Sequence, residues 1–347
     1  MNKTWIQVND PHLASQAPRG RTPTFEADIL AKLAWVMEYA NGVAAEGIVI
    51  TGDLLNRKNP THTSHLLVQK IRAVFALAKA PVHLIVGNHD RNNGGQLDGQ
   101  PILGVVDGTH VHLLDGPSGH DSYIAGIPWS DSFEGDGGAD QIAELMLDAR
   151  RPMIFGHLPV TNRAFPFGGE AHGWVFDADV IAALHMRGLE RRPPHTRPRL
   201  LAHGHFHWQQ PISVLSVEGL SDGITFSNPG ALARATVAAD DIERAPSIAV
   251  VEFNTDTLAV RVEYVPIPCR PAVEVLRLEE HARDTEREDA VQALARSLVR
   301  AYSEVVDADT LRDMLMALGC PEQFSQEVWE RGVALAAAAI DGEVALT

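Results

Sequence analysis

A chain of 347 residues with 45% hydrophobic and 21% charged side chains can build one catalytic domain of roughly 250 residues plus an appendage; its mean hydropathy of −0.08 is that of an ordinary soluble protein rather than a disordered one, and no apolar run approaches the length that spans a bilayer. Two distant cysteines, Cys269 and Cys320, exclude a disulfide framework and a thiolate metal site, and the opening Met1-Asn-Lys-Thr-Trp lacks the apolar stretch of a signal peptide, so a reducing cytoplasm is expected. The net charge of −16 is uneven: residues 279–347 carry 15 acids and 6 bases, leaving −7 for the first 278, a balance that neither requires nor forbids DNA.

Strands are expected at residues 4–9, 47–51, 82–86, 111–114, 123–126, 153–155 and 200–202, alternating with helical stretches in the manner of an α/β domain. The first helix pattern, Ile29, Leu33, Val36, Met37 and Ala40, opens at Thr22-Pro23 as cap and first-turn proline, and a second is expected over 63–80. Residues 131–140, rich in Gly and Asp, read as a surface loop. After residue 210 the pattern becomes all-β, with strands at 212–217, 224–227, 248–253 and 258–265 expected to complete a second sheet. From 273 onward it turns helical: a charged stretch over 284–305, an apolar stripe of Leu311, Leu315 and Leu318 stopped by Gly319 and Pro321, and a last helix with Val328, Trp329, Val333 and Ala336. This divides the chain into 1–268 and a helical tail, 269–347.

Five short segments follow predicted strand ends: Asp10-Pro11-His12, Gly52-Asp53, Gly87-Asn88-His89-Asp90, Gly156-His157 and Gly204-His205-Phe206-His207. Open α/β sheets place ligand sites at such ends. Singly each has an ordinary explanation: Asp10 before proline turns a chain, Gly-Asp is common after a strand, and Asn-His-Asp can form a left-handed turn. Together they supply imidazole and carboxylate in one order, the mixed shell that suits two divalent ions about 3.5–4 Å apart acting on a phosphate ester. His203, two residues before His205, reads as a supporting or structural residue, and His172, near Glu170 and Trp174, reads as part of a loop that could reach the substrate.

The five segments resemble those of the calcineurin-like metallophosphoesterase superfamily over roughly residues 1–265. The resemblance implies a two-sheet αββα sandwich with a C-terminal helical appendage. It implies that Asp10, His12 and His207 hold one metal, that Asn88, His157 and His205 hold the other, and that Asp53 bridges them. His89 would sit unligated over the leaving oxygen, with Asp90 orienting its ring. The ions expected are Mn²⁺, with Fe or Zn as alternatives, and a bridging hydroxide would attack phosphorus in line.

Within that superfamily, the run Gly52-Asp53-Leu-Leu-Asn-Arg57-Lys58-Asn-Pro60 and the closing strands after Ser247 look like those of SbcD-type DNA exonuclease subunits. This implies a DNA nuclease in DNA repair, with an SbcC-type coiled-coil ATPase docked on the C-terminal helices. DNA contact calls for cations near the site. Arg57, Arg91 and Arg234 are the candidates for substrate binding, with Arg19, Arg21, Lys58 and the Arg187–Arg199 group as further basic positions. The alternatives are a small-molecule phosphodiesterase of cyclic nucleotide or glycerophosphodiester type, with the tail as a lid or homodimer contact, and a non-enzymatic interaction protein using the tail.

Overall fold

The computed structural model describes residues 1–118, 121–162, 174–217, 220–234, 237, 239–302, 307–318, 320 and 324–340. Contacts group the chain into two compact units, Met1–Leu276 and Arg277–Thr347.

In the first unit the strands in chain order are β1 (Asn2–Val8), β2 (Gly47–Ile50), β3 (Val82–Leu84), β4 (Val111–Leu113), β5 (Gly116–Pro117), β6 (Ile124–Ile127), β7 (Met153–His157), β8 (Val160–Thr161), β9 (Val175–Phe176), β10 (Leu200–Gly204), β11 (Ser213–Val217), β12 (Leu220–Ser227), β13 (Ser247–Asn254) and β14 (Val260–Pro266). One six-stranded sheet runs β14-β13-β1-β2-β3-β4 and the other β11-β12-β10-β7-β6-β5, with β8 and β9 as a separate pair. Both sheets are mixed: β1 to β4 run parallel, as do β12, β10, β7 and β6, and antiparallel strands are added at the edges. Helices α1 (Phe25–Gly42) and α2 (His65–Phe75) cover the first sheet, while α3 (Gly138–Ala149) and α4 (Asp177–Met186) cover the second. This is the αββα sandwich expected from the resemblance.

The period-2 alternation of strands produces these layers directly. In β1, Ile6 and Val8 join Ile29, Leu33 and Val36 of α1 on the outer face, whereas Trp5 turns inward to Val251, Phe253, Met153 and Phe155 between the sheets. The Trp5 indole donates to Asp121 Oδ2 at 2.9 Å, so its polar edge is satisfied where it meets the rim of that core.

Three sequence expectations need correction. Of the four late strands, only β11 and β12 enter the second sheet. β13 pairs antiparallel with β1, Trp5 opposite Val251, and β14 pairs with β13. Strand periodicity reveals which face is buried but not the partner, here some 245 residues away. Helix α1 starts at Phe25 because Thr22 is engaged elsewhere, its amide on the Val275 carbonyl. Residues 131–140 are not all loop: Asp131–Glu134 form a 3₁₀ turn and α3 begins at Gly138.

Cys269–Leu276 packs within the first unit, although the sequence groups it with the tail. Arg21 bridges to Leu276, and α5 (Ala239–Glu243) and α6 (Ala272–Val275) complete that unit. In the second unit α7 (Leu278–Tyr302), α8 (Ala308–Leu318) and α9 (Gln326–Ile340) share a small core containing Leu294, Leu298, Leu315, Trp329 and Val333. Among the described residues no helix is long and apolar enough to cross a membrane.

Candidate dinuclear metal centre

Each of the five segments lies at the carboxyl end of a central parallel strand: Asp10 and His12 after β1, Asp53 after β2, Asn88 and His89 after β3, His157 closing β7, and His205 and His207 after β10. The chain must turn sharply there. Asp10, His12, Asp53 and His205 all take positive φ (47°, 46°, 48° and 97°), a region that costs non-glycine residues free energy and persists only where surrounding contacts enforce it. Two glycines make the crowding possible. A Cβ on Gly52 would sit 2.2 Å from the His157 ring, and one on Gly87 would sit 2.1 Å from Asp53 Oδ1.

The turns bring eight residues into one cluster. Ligating atoms of Asp10, His12 and His207 lie within 4.8 Å of one another, as do those of Asp10, Asp53 and His157, and of His12, Asp53 and His89. His12 Nε2 is 2.9 Å from His207 Nε2 and 3.5 Å from Asp53 Oδ2, and His157 Nε2 is also 3.5 Å from Asp53 Oδ2. Asp53 therefore faces both groups. Asn88 Oδ1 and His205 Nδ1 approach His157 Nε2 at 2.9 and 3.4 Å. His157 Nδ1 meets the Thr51 carbonyl at 2.8 Å, which fixes the ring and leaves Nε2 pointed at the cluster.

The electrostatics are those of a site built for cations. Burial holds the Asp10 carboxyl well above its usual range, with Asp53 adding repulsion, and burial also raises Asp53. Burial pushes His157 and His205 down to about 3 and lowers His12 and His207 as well, so these rings are neutral bases. No Lys or Arg forms an ion pair with Asp10 or Asp53 among the described residues, and His12 Nδ1 is buried without a hydrogen-bond partner. Buried carboxylates and neutral imidazoles with no cation and no sulfur fit two borderline divalent ions.

The role expected of Asp90 falls to a backbone atom. The Asp90 carboxylate accepts from the amides of Leu55 (2.9 Å), Gly87 (3.0 Å) and Leu54 (3.3 Å), which ties the β2 and β3 loops together; burial beside Asp53 raises it to about 7. His89 Nδ1 instead meets the Asn56 carbonyl at 2.9 Å, and the His89 amide donates to Asp53 Oδ1 at 2.9 Å. A carbonyl acceptor at Nδ1 makes that nitrogen the donor and leaves Nε2 as the other ring nitrogen.

Asn9 and Trp129 are further parts of the site that sequence reasoning did not single out. Asn9 donates to the His203 carbonyl (2.8 Å) and to Asn228 Oδ1 (2.9 Å) and accepts from Gln7 (2.9 Å) and the Thr51 hydroxyl, which locks the β1, β2 and β10 ends to one another. Its position beside Asp10 was the available signal. Trp129 stacks on His205 with ring centroids 4.5 Å apart, and no local pattern marks it. His203 is buried, supports Asn9 through its carbonyl and is pushed down to about 3 by burial. His172 lies outside the described residues.

Of the proposed substrate arginines, Arg57 is exposed beside the Asp53 loop. Arg91 is tied to the Trp129 carbonyl (3.2 Å) and to Asp131 (2.5 Å). Arg234 is buried and donates to the carbonyls of Arg270 and Arg244, so the structure does not bring it to the cluster. The Arg187–Arg199 group is also engaged locally: Arg187 pairs with Asp140 and Glu144, and Arg197 binds the carbonyls of Arg192 and Glu190.

The family model of calcineurin-like phosphoesterases matches residues 4–209, more than half the chain and all five ligand segments. The chain belongs to this family. Solved structures similar to this phosphoesterase include TT1561 of Thermus thermophilus, with a TM-score of 0.40 and 12% identity, covering 76% of this chain and 99% of that one. A dimetal phosphatase from Danio rerio gives 0.44 and 11%, covering 75% of this chain and 98% of that one. No curated protein matches.

Proposed function

We propose that this phosphoesterase is a dinuclear metal-dependent phosphodiester hydrolase. The observation that carries this reading is the convergence of Asp10, His12, Asn88, His157, His205 and His207 around one doubly facing carboxylate, Asp53. In this reading Asp10, His12 and His207 hold one ion, Asn88, His157 and His205 the other, and Asp53 both. Bound divalent ions, with Mn²⁺ as the expected metal, neutralise the phosphodiester and provide a water acidic enough to attack at neutral pH. His89, held through an Nδ1–H on the Asn56 carbonyl, directs Nε2 away from that bond, and in its imidazolium form it would give the Nε2 proton to the departing oxygen. Asp90 keeps the two loops that carry Asp53 and His89 in register.

DNA is the substrate proposed, on the strength of exposed Arg57 and Lys58, four and five residues after Asp53, and of the SbcD-like run around them. The acidic helical unit 277–347 is then a docking module for a coiled-coil ATPase partner. A small phosphodiester is the second reading, favoured by one observation: Arg91, Arg187 and Arg197 are occupied by internal partners, leaving few free cations for a polyanion. Assaying labelled linear DNA, a cyclic nucleotide and bis-p-nitrophenyl phosphate side by side with Mn²⁺ separates the two. DNA cleavage abolished by Asp53→Asn supports the nuclease; brisk turnover of the cyclic nucleotide with intact DNA overturns it. Inactivity on all three with two ions bound overturns the hydrolase itself.

A further inference from the structure

A second charged void lies in the same unit and is lined by none of the centre's residues. Arg21, Asp28, Ala31, Lys32, Arg234, Pro268, Cys269, Arg270 and Val275 enclose about 360 Å³, the small end of the range of roughly 300–1,000 Å³ typical of ligand pockets. Three arginines and Lys32 face one carboxylate there. Asp28 is already engaged, accepting from Thr24 Oγ1 at 2.8 Å and from Arg270 Nη1 at 3.3 Å. Glu274, at the edge, is held by Arg270 Nε at 3.2 Å.

Part of this positive charge has a structural task. Four consecutive carbonyls, those of Ala231, Leu232, Ala233 and Arg234, accept from Arg244, Lys32, Arg244 and Arg21 respectively. That task leaves donors over. Arg21 is 2% exposed, yet among the described residues its Nε and Nη2 have no hydrogen-bond partner, with Asp28 no nearer than 3.8 Å to Nη2; Arg234, 7% exposed, has an Nε likewise unpartnered among the described residues. Buried polar atoms are almost always paired, and guanidinium groups more so, because an unpaired buried donor loses its hydration and gains nothing in return. Three such atoms on two arginines lining one cavity, with Lys32 and Arg270 beside them, define a site for a compact, multiply charged acceptor. A tetrahedral oxyanion meets that description, since its several oxygens can take donors from different directions at once.

We propose that this cavity binds a phosphate group, Arg21 Nε and Nη2 and Arg234 Nε donating to its oxygens and the more exposed Arg270 closing on it from the solvent side. The volume exceeds what inorganic phosphate fills, so the group can arrive free or as the end of a phosphomonoester.

Equilibrium dialysis of the full chain with labelled inorganic phosphate tests the site, using Asp53→Asn as background so that phosphate held by metal ions is not counted. This background is expected to retain about one phosphate per chain, and adding Arg21→Gln is expected to weaken binding by roughly tenfold or more, the worth of a charge-assisted hydrogen bond. Arg270→Gln, on an exposed side chain with little bearing on folding, is expected to weaken it by roughly threefold. A nucleoside monophosphate that displaces phosphate at lower concentration identifies a phosphomonoester as the occupant; one that competes no better identifies the free anion. Absence of binding at about 5 mM phosphate, a Kd too weak for a built site, overturns the proposal, as does binding that both Arg21→Gln and Arg270→Gln leave unchanged.

Discussion

The metal centre and the cationic cavity are opposite answers to the same physical problem. At the candidate centre, Asp10 and Asp53 are buried among neutral imidazoles, and among the described residues no Lys or Arg is shown in an ion pair with either. In the cavity, Arg21, Lys32 and Arg234 are buried with more donors than acceptors. A folded chain tolerates an unbalanced buried charge only at a cost, so the sign of the imbalance indicates the sign of what belongs there. The contrast also separates residues that look alike in sequence: Arg234 and Arg57 are both candidate substrate contacts by position, yet only Arg57 reaches solvent beside the centre.

The sharpest way to break this contrast is to remove the shared acid. Asp53→Asn preserves shape but removes the charge facing both ligand groups; we expect loss of both ions by elemental analysis and a fall in turnover of roughly a thousandfold or more. Retention of two ions would mean that Asp53 is not the shared ligand. His89→Gln comes next. It should keep the metal content and lower kcat by about 10²–10⁴-fold, the usual worth of a positioned proton donor, so metal loss in this variant would convert His89 from donor to ligand.

A smaller effect is expected from Asn9→Ala, which takes one hydrogen-bond partner each from Asn228 Oδ1, the Thr51 hydroxyl and the Gln7 amide in the interior and leaves them to their remaining partners, the Gly230 amide, the Val8 carbonyl and the His203 carbonyl. Denaturant titration should show a loss of about 2–4 kcal/mol, and a loss well under 1 kcal/mol would show that water replaces the side chain. On the cationic side, burial pushes Lys32 down to about 7. Between that value and the ordinary lysine range the unfolded chain binds the extra proton, so the Lys32 contribution to stability rises with pH. Relative to Lys32→Met, wild type should therefore gain stability from pH 7 to 9.5, by at most about 1.4 kcal/mol per pH unit. A flat difference would show that Lys32 keeps its charge in the folded state.

The five clustered segments were legible because each is local: a short run of Asp, Asn, His and Gly directly after a strand, where backbone direction alone decides which way the side chains face. The helix stripe of Ile29, Leu33 and Val36 was legible for the same reason. What sequence could not carry was non-local or lay in the backbone. Nothing in β13 names β1 as its neighbour, and the carbonyl of Asn56, which takes the place expected of Asp90, would be present whatever the side chain there. Trp129 reaches His205 through tertiary packing alone. Arg234 looks like a surface residue in sequence because a basic residue following a turn is normally a solvated one, and here the turn folds inward.

The residue 231–234 segment joins the cationic cavity to the loop that presents Asp10. Its peptide planes are rigid, so the carbonyl of one residue and the amide of the next move as a single plate. The plate joining Ala231 to Leu232 has its oxygen on Arg244 and its N–H on the Asn9 carbonyl; the plate joining Leu232 to Ala233 has its oxygen on Lys32 and its N–H on the Asp10 carbonyl. The same two consecutive peptide units thus hold Arg244 and Lys32 by one edge and the Asn9–Asp10 backbone by the other. A fluctuation that pulled those oxygens from the cations would tilt the same plates away from the loop that presents Asp10, so a disturbance at Lys32 is felt at Asp10.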